Sequence, residues 1–311
     1  MDGDNLESEI PRIWIGMSTF NSAATVRTSI ESVIAQNFQE WQLVIRDANS
    51  TDETLSICLE YKLRDSRINV ISLNETNGWL ESARNHIIDS KANYFAFLDG
   101  DDYISDDWIS ELVTILKCED SIAAFGRVDV IDQKGSIVRL SPSSGRSFKF
   151  TSFESRRVRI ALSLLLPESF GLVNILYSVW DSAAIYDLAI TKDLFSGEND
   201  WNFDFDQIFI LEALSLGKIS YSKNPTIFRR LKPEQYSVYT NRSKDYSRVS
   251  KRSFLFTYIW EILTVKPKNS LYYNWVRNQK NRNLYFMILF FRIIVSVFSP
   301  ILIRVKHRVV K

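Results

Sequence analysis

Cysteine and histidine are scarce in this chain, with two of each among 311 residues. Cys58 and Cys118 cannot build a disulfide framework, and with only His86 and His307 beside them they argue against a Cys/His zinc site. Both thiols read as small buried groups in a reducing compartment. No GxGxxG follows the first apolar run and no GxxxxGKS/T occurs anywhere, so a dinucleotide-binding Rossmann site and a P-loop are both disfavoured. An excess of one charge is missing as well. The 38 Lys and Arg residues against 37 Asp and Glu leave a net charge of +1, whereas a dedicated nucleic-acid binder carries a strong basic surplus. There is no repeat period and no low-complexity tract. The opening MDGDNLESEIPR is acidic and polar, the reverse of a secretory leader, and residues 1–10 read as a short mobile arm.

What is present is apolar and aromatic material, 45% and 13% of the chain, enough for a sizeable core. The first 130 residues alternate strand-like and helix-like segments. RIWIGMS (12–18), WQLVIR (41–46), INVISL (68–73) and YFAFL (94–98) are β-rich runs. Between the first two, Val26, Ile30, Val33 and Ile34 recur at helical spacing, with Asn21 or Ser22 as the cap. Ser50 followed by Glu53 gives a capping-box signature for the next helix, with Leu55, Cys58, Leu59 and Lys62 on one face. A third helix is expected near 79–90. Nearly continuous apolar strands separated by helices predict an α/β fold with a mostly parallel, Rossmann-like sheet covered on both faces.

The last of those strands runs into YFAFLDGDDYISDDW, which sets Asp99, Asp101 and Asp102 within four positions, with Gly100 between the first two. Like charges that close repel by about 1 to 4 kcal/mol per pair near a protein surface, so something must offset the crowding. Ligands of open parallel sheets bind beyond the carboxyl ends of the strands. Asn21, Asp47 and Asn49 follow other strands and gather at the same rim. If the backbone stays extended through Gly100, Asp99 and Asp101 lie on one side and Asp102 opposite. Two carboxylates aimed together suit a hard cation, Mg²⁺ or Mn²⁺, that shares phosphate oxygens.

The joint pattern of STFN (family-like Pro-Thr-Tyr-Asn), SIESVIAQNFQEWQLVIRDANSTDET, NGWLESARN and YFAFLDGDD resembles the family-2 glycosyltransferases of the GT-A fold, over roughly residues 11–115. The resemblance implies a nucleotide-sugar-binding half (11–130) and an acceptor and catalytic-base half (131–265). It implies that Thr19, Asn21 and Asp47 line the nucleotide pocket, with Asp47 accepting from the base, and that Arg84 approaches the nucleotide or the phosphates. Asp99 and Gly100 would face the donor, and Asp101 would be the main metal ligand beside Asp99 and Asp102. Arg46 and Trp79 depart from the family pattern at positions where donor choice can be altered.

The same resemblance calls for an acidic base at the start of an amphipathic helix. GENDWNFDFDQIFILEALSLGK fits it, with Asp206 aligning best and Asp204 in reserve. Helix-cap duty is the competing role for Asp206. NPTIFRRLKPEQYS resembles the family segment in which a basic pair follows a strand, which implies that Arg229, Arg230 and Lys232 pair with the diphosphate, unless they form a solvated basic face. Tyr177 and Trp180, within an apolar run at 169–185, read as core, with stacking on a sugar as the alternative.

The final stretch, NLYFMILFFRIIVSVFSPILIRVKHRVVK, is apolar with basic flanks, but Arg292 and Pro300 interrupt it. Residues 266–311 therefore read as helices lying in the plane of an anionic leaflet, on the cytoplasmic face of the membrane, next to a lipid-linked acceptor, with a true span or a helix buried within the protein as the alternatives. The expected activity is inverting transfer of a sugar from a nucleotide-diphosphate sugar, a UDP-sugar by preference, to a saccharide or lipid-linked saccharide. The alternatives are a nucleotidyltransferase on a similar sheet, or a catalytically silent sugar- or nucleotide-binding scaffold.

Overall fold

The computed structural model describes residues 12–74, 79–138, 149–165, 172–191 and 203–231, without the side chains of 164–165, 172–173, 191 and 203–207. Three apolar runs become strands buried over almost their whole length: β1 (Ile13–Thr19), β2 (Trp41–Asp47) and β4 (Tyr94–Asp99). β3 (Ile68–Ser72) lies at the sheet edge and is more exposed. α1 (Val26–Ile34) inserts Val26, Ser29, Ile30 and Val33 into the core, and α3 (Trp79–Asp89) inserts Leu80, Ala83 and Ile87. Burial on this scale, at roughly 25 cal/mol per Å² of apolar surface, is what fixes the layers.

The chain continues through β5 (Tyr103–Ile104), α4 (Trp108–Cys118), β6 (Ala123–Ile131), α5 (Arg156–Leu165), β7 (Val179–Asp181), α6 (Ser182–Tyr186), α7 (Phe203–Leu216) and β8 (Ile219–Arg230). One eight-stranded sheet has the order β3-β2-β1-β4-β7-β6-β8-β5. β1 pairs in parallel with β2 and β4, as do β2 with β3 and β6 with β8. β7 runs antiparallel to both β4 and β6, and β5 antiparallel to β8. The sheet is therefore mixed, and the expectation of a mostly parallel sheet holds only for its first half. The antiparallel seam is three residues long and leaves no readable period in its apolar surroundings.

The expected helix starts are corrected. α1 begins at Val26 behind Thr25, with no side-chain cap, while Asn21 takes a left-handed φ of 48° in the loop before it. No capping box forms ahead of α2 (Thr54–Arg64). Ser50 is drawn off to Asp47, and Asp52 instead accepts from the Thr54 N–H at 3.0 Å and the Ala23 N–H at 3.1 Å, pinning two loops together. The buried face of α2 is Thr54, Ile57, Cys58 and Tyr61, so Leu59 is exposed. Cys58 is buried as expected, but Cys118, the last residue of α4, is exposed.

α7 carries Ile208 to Leu211, Ala213 and Leu214 into the core and stops at Gly217. A Cβ at Gly217 would lie 2.3 Å from Ile122 Cγ2, which leaves no room for any other residue. Residues 232–311, with the predicted membrane-associating helices, lie outside the described residues. Among the described residues, no helix is long and apolar enough to cross a membrane.

Candidate active site

The parallel half of the sheet brings three strand ends together. Thr19 stands opposite Asp47, and Ser18 opposite Asp99. Thr19 Oγ1 donates to Asp47 Oδ1 at 3.2 Å. The Asp47 carboxylate is fully buried and also accepts from the Ser50 N–H at 3.0 Å and the Ser50 hydroxyl at 2.6 Å. Asn21 donates its N–H to Ser50 Oγ at 2.9 Å and accepts from the Thr51 N–H at 2.9 Å. Thr19, Asn21 and Asp47 thus form one hydrogen-bonded rim, in which Asp47 orders the loop that follows β2.

At the end of β4 the backbone turns instead of staying extended. The Asp102 N–H reaches the Asp99 carbonyl at 3.1 Å, closing a four-residue turn. Gly100 is held inside it by its own N–H to the Ser18 carbonyl at 3.1 Å and by Thr25 Oγ1 donating to its carbonyl at 3.0 Å. A Cβ there would meet Thr19 Cγ2 at 2.6 Å, so close approach of the two strand ends requires glycine. The turn corrects the expectation that Asp102 points away. Asp99, Asp101 and Asp102 each offer an oxygen, and these oxygens lie within 4.8 Å of one another.

Neighbouring donors offset part of the crowding. Asp99 accepts from Trp79 Nε1 at 3.1 Å and from the Tyr177 hydroxyl at 2.8 Å, one on each oxygen. Asp102, 2% exposed, accepts from the Arg230 N–H at 2.8 Å, and Arg229 Nε stands 3.5 Å from its other oxygen. Burial pushes the Asp102 carboxyl well above the usual carboxylate range; Arg229 pulls it back, and Asp101 and Asp99 add to the rise. An all-oxygen set of three clustered carboxylates fits a hard divalent cation by its donor chemistry.

The basic pair belongs to β8 itself, as its last two residues, rather than to a segment after the strand. Arg230 is spent on backbone carbonyls, those of Asp101 at 3.1 Å, Asp132 at 2.9 Å and Gln133 at 3.0 Å. It ties the strand end to the aspartate turn. Arg229 keeps 31% of its side chain exposed. Arg84, on α3, is half-buried, and its Nε is buried without a hydrogen-bond partner. Arg46 is buried and paired with Asp89 at the end of α3.

Asp204 and Asp206 fall in the first turn of α7, but their side chains lie outside the described part of the structure, as does Lys232. Trp180 is wholly buried core, edge-on to Phe209 at 5.3 Å. Tyr177 is buried too, but against Asp99 and Arg229, a role that sequence reading missed along with those of Trp79 and Asn174. Nothing local signals it, since Tyr177 and Asp99 are 78 positions apart.

A turn of carboxylates thus lies at the end of a parallel strand of an α/β sheet, beside a buried loop-ordering aspartate. Residues 14–171, half of the chain, match the model of glycosyl transferase family 2, and the chain belongs to that family. An uncharacterized glycosyltransferase of Haemophilus influenzae is 30% identical over 125 residues, 40% of this chain and 39% of that protein. WfaP of Escherichia coli, a UDP-Glc:alpha-D-GlcNAc-diphosphoundecaprenol beta-1,3-glucosyltransferase, is 34% identical over 104 residues, 33% of this chain and 40% of that one. The chain thus matches about two fifths of the length of these relatives. The crystal structure of S. aureus TarS 1-349 in complex with UDP-GlcNAc shares the fold with a TM-score of 0.58 and 17% identity, covering 93% of this chain and 73% of that one. The mixed sheet is accordingly GT-A-like.

Proposed function

We propose that this glycosyltransferase is an inverting, divalent-cation-dependent enzyme that moves a sugar from a UDP-sugar to a saccharide or lipid-linked saccharide acceptor in surface polysaccharide synthesis. The observation that carries the reading is the turn that clusters Asp99, Asp101 and Asp102 within 4.8 Å, beside Thr19 and Asp47. The choice of a uridine donor and a lipid-linked acceptor draws on the names of the WfaP relative and the TarS complex.

In this reading Asp101, with Asp99 and Asp102, holds Mn²⁺ or Mg²⁺. An ion held there would supply Lewis-acid stabilisation of charge on the leaving diphosphate. Thr19, Asn21, Asp47 and Gly100 form the wall for the base and ribose. Arg84 gives its unpartnered Nε–H to a phosphate oxygen, and the exposed edge of Arg229 adds positive charge at the diphosphate. Asp206, with Asp204 as the reserve, takes the proton of the acceptor hydroxyl. The acceptor oxygen then bonds the anomeric carbon as the bond to the diphosphate breaks. The electron pair leaves with the diphosphate, and configuration at carbon inverts. General-base assistance of this kind is worth ~10² to 10⁴ in rate. Residues 266–311 would lie on the cytoplasmic face of the membrane and keep the site near a lipid-linked acceptor.

The test is a panel of UDP-sugars with Mn²⁺ and an undecaprenyl-diphosphate-linked acceptor. Release of UDP with a glycosylated acceptor of inverted configuration is expected, and Asp101→Asn should abolish it while leaving thermal unfolding intact. Release of pyrophosphate, or nucleotide binding without turnover on any donor, would overturn the assignment.

A further inference from the structure

Three carboxylates share one turn, and β8 sets a cation of the chain's own against them. Arg229 Nε lies 3.5 Å from Asp102 Oδ2. Its guanidinium sits over the Tyr177 ring at 4.2 Å from the centroid and donates to the Tyr177 hydroxyl at 3.1 Å and to Asn174 Oδ1 at 3.1 Å. Tyr177 passes the contact on, because its hydroxyl donates to Asp99 Oδ2 at 2.8 Å. The guanidinium is therefore joined directly to Asp102 and through Tyr177 to Asp99, the residues that begin and end the turn. Tyr177 and Asn174 are both buried, at 2% and 4% exposure, so their positions are fixed by packing. A planar guanidinium held on one face by an aromatic ring and on its edge by two acceptors has little freedom to leave.

We infer that Arg229, aimed by Tyr177 and Asn174, is a resident counter-ion of the aspartate turn, which holds the carboxylates together without a metal and weakens their grip on a bare divalent cation. Firm binding then awaits a nucleotide diphosphate, whose own negative charge outweighs the guanidinium's repulsion. Arg229 and Tyr177 are positioning residues in this scheme. The inference rests on the reading of the turn as a cation site.

The experiment measures free Mn²⁺ by electron paramagnetic resonance, with and without UDP, for the wild type, Arg229→Gln, Arg229→Lys and Tyr177→Phe. With the guanidinium removed, Arg229→Gln should bind Mn²⁺ alone about tenfold more tightly or better, while Arg229→Lys, which keeps the charge, stays within about twofold of the wild type. Tyr177→Phe frees one oxygen of Asp99 and loosens the guanidinium, so Mn²⁺ alone should bind about two- to threefold more tightly. The gain in Mn²⁺ affinity on adding UDP should shrink in Arg229→Gln and Tyr177→Phe. A purely structural role would instead weaken Mn²⁺ binding together with the melting temperature. Wild-type protein that takes up no Mn²⁺ even with UDP would overturn the cation site itself. Wild-type uptake with unchanged or weaker Mn²⁺ binding in folded Arg229→Gln and Tyr177→Phe would overturn the counter-ion role alone. Should Arg229→Gln not fold, Tyr177→Phe decides by the same criterion.

Discussion

Replacing Gly100 by alanine adds a single carbon at the tightest point of the site. That carbon would stand 2.6 Å from Thr19 Cγ2, 3.3 Å from Thr19 Cβ and 3.5 Å from the Ser18 carbonyl oxygen. The turn cannot simply retreat, because the Gly100 N–H and carbonyl are both hydrogen bonded and the Asp102 N–H closes the loop. Thr19 cannot rotate freely either, because its hydroxyl holds the buried Asp47. Overpacking of this kind costs about 1–3 kcal/mol. A shift of the carboxylates by about an ångström is worth up to about 10² in rate. Thr19→Ser removes the offending methyl and keeps the hydroxyl for Asp47. Added to Gly100→Ala it should restore most of the stability and of the UDP–Mn²⁺ binding, with a coupling of about 1–2 kcal/mol between the two sites. Urea denaturation of the four proteins, with nucleotide titrations alongside, measures this. A Gly100→Ala variant as stable as the wild type, or losses that simply add in the double variant, would refute the packing argument.

Asp206→Asn should lower transfer by ~10² to 10⁴ with donor binding unchanged, and Asp204→Asn far less; the reverse order in steady-state kinetics would move the base to Asp204. Arg84→Ala should weaken UDP binding about tenfold to a hundredfold in calorimetry, as loss of a charged hydrogen bond does, with only the small fall in melting temperature that loss of its half-buried stem brings, since its Nε has no partner to lose. His86 is fully buried with no well-formed hydrogen bond to either ring nitrogen, and burial first, then Arg46, pushes its pKa from 6.5 down to about 3 against the opposing pull of the Met17 backbone. The unfolded chain binds that proton below about 6.5 and the folded one does not until about 3, so this stability is complete above 6.5 and drains away between those values. The slope reaches about 1.4 kcal/mol per pH unit. His86→Leu should flatten this part of the urea-derived stability profile, and an unchanged acid slope would discard the assignment.

The strands of the parallel half are legible because continuous apolar runs between helices leave few alternatives. RIWIGMS, WQLVIR, INVISL and YFAFL fall within a residue or two of β1 to β4. β7 is not legible, since three residues inside a longer apolar stretch carry no period. The acidic trio announces itself by its crowding, but its geometry does not. Whether Asp102 joins Asp99 and Asp101 depends on the turn bond from the Asp102 N–H to Asp99 and on Gly100 lying against Thr19. The helix caps misled because Ser50 is held by Asp47, three residues before it in its own loop, and Asn21 by Thr51 of a neighbouring loop that no local pattern reveals. Tyr177 and Arg229, 52 positions apart, meet only through the sheet, so their link to the aspartates had to be seen in the fold.

Anomalous scattering from a crystal grown with UDP and Mn²⁺ decides most directly whether the aspartate turn is a cation site. The expected result is a manganese peak about 2.2 Å from an Asp101 carboxylate oxygen and from an oxygen of the diphosphate. Ordered UDP at the sheet rim with no anomalous peak at Asp99, Asp101 and Asp102 would contradict it.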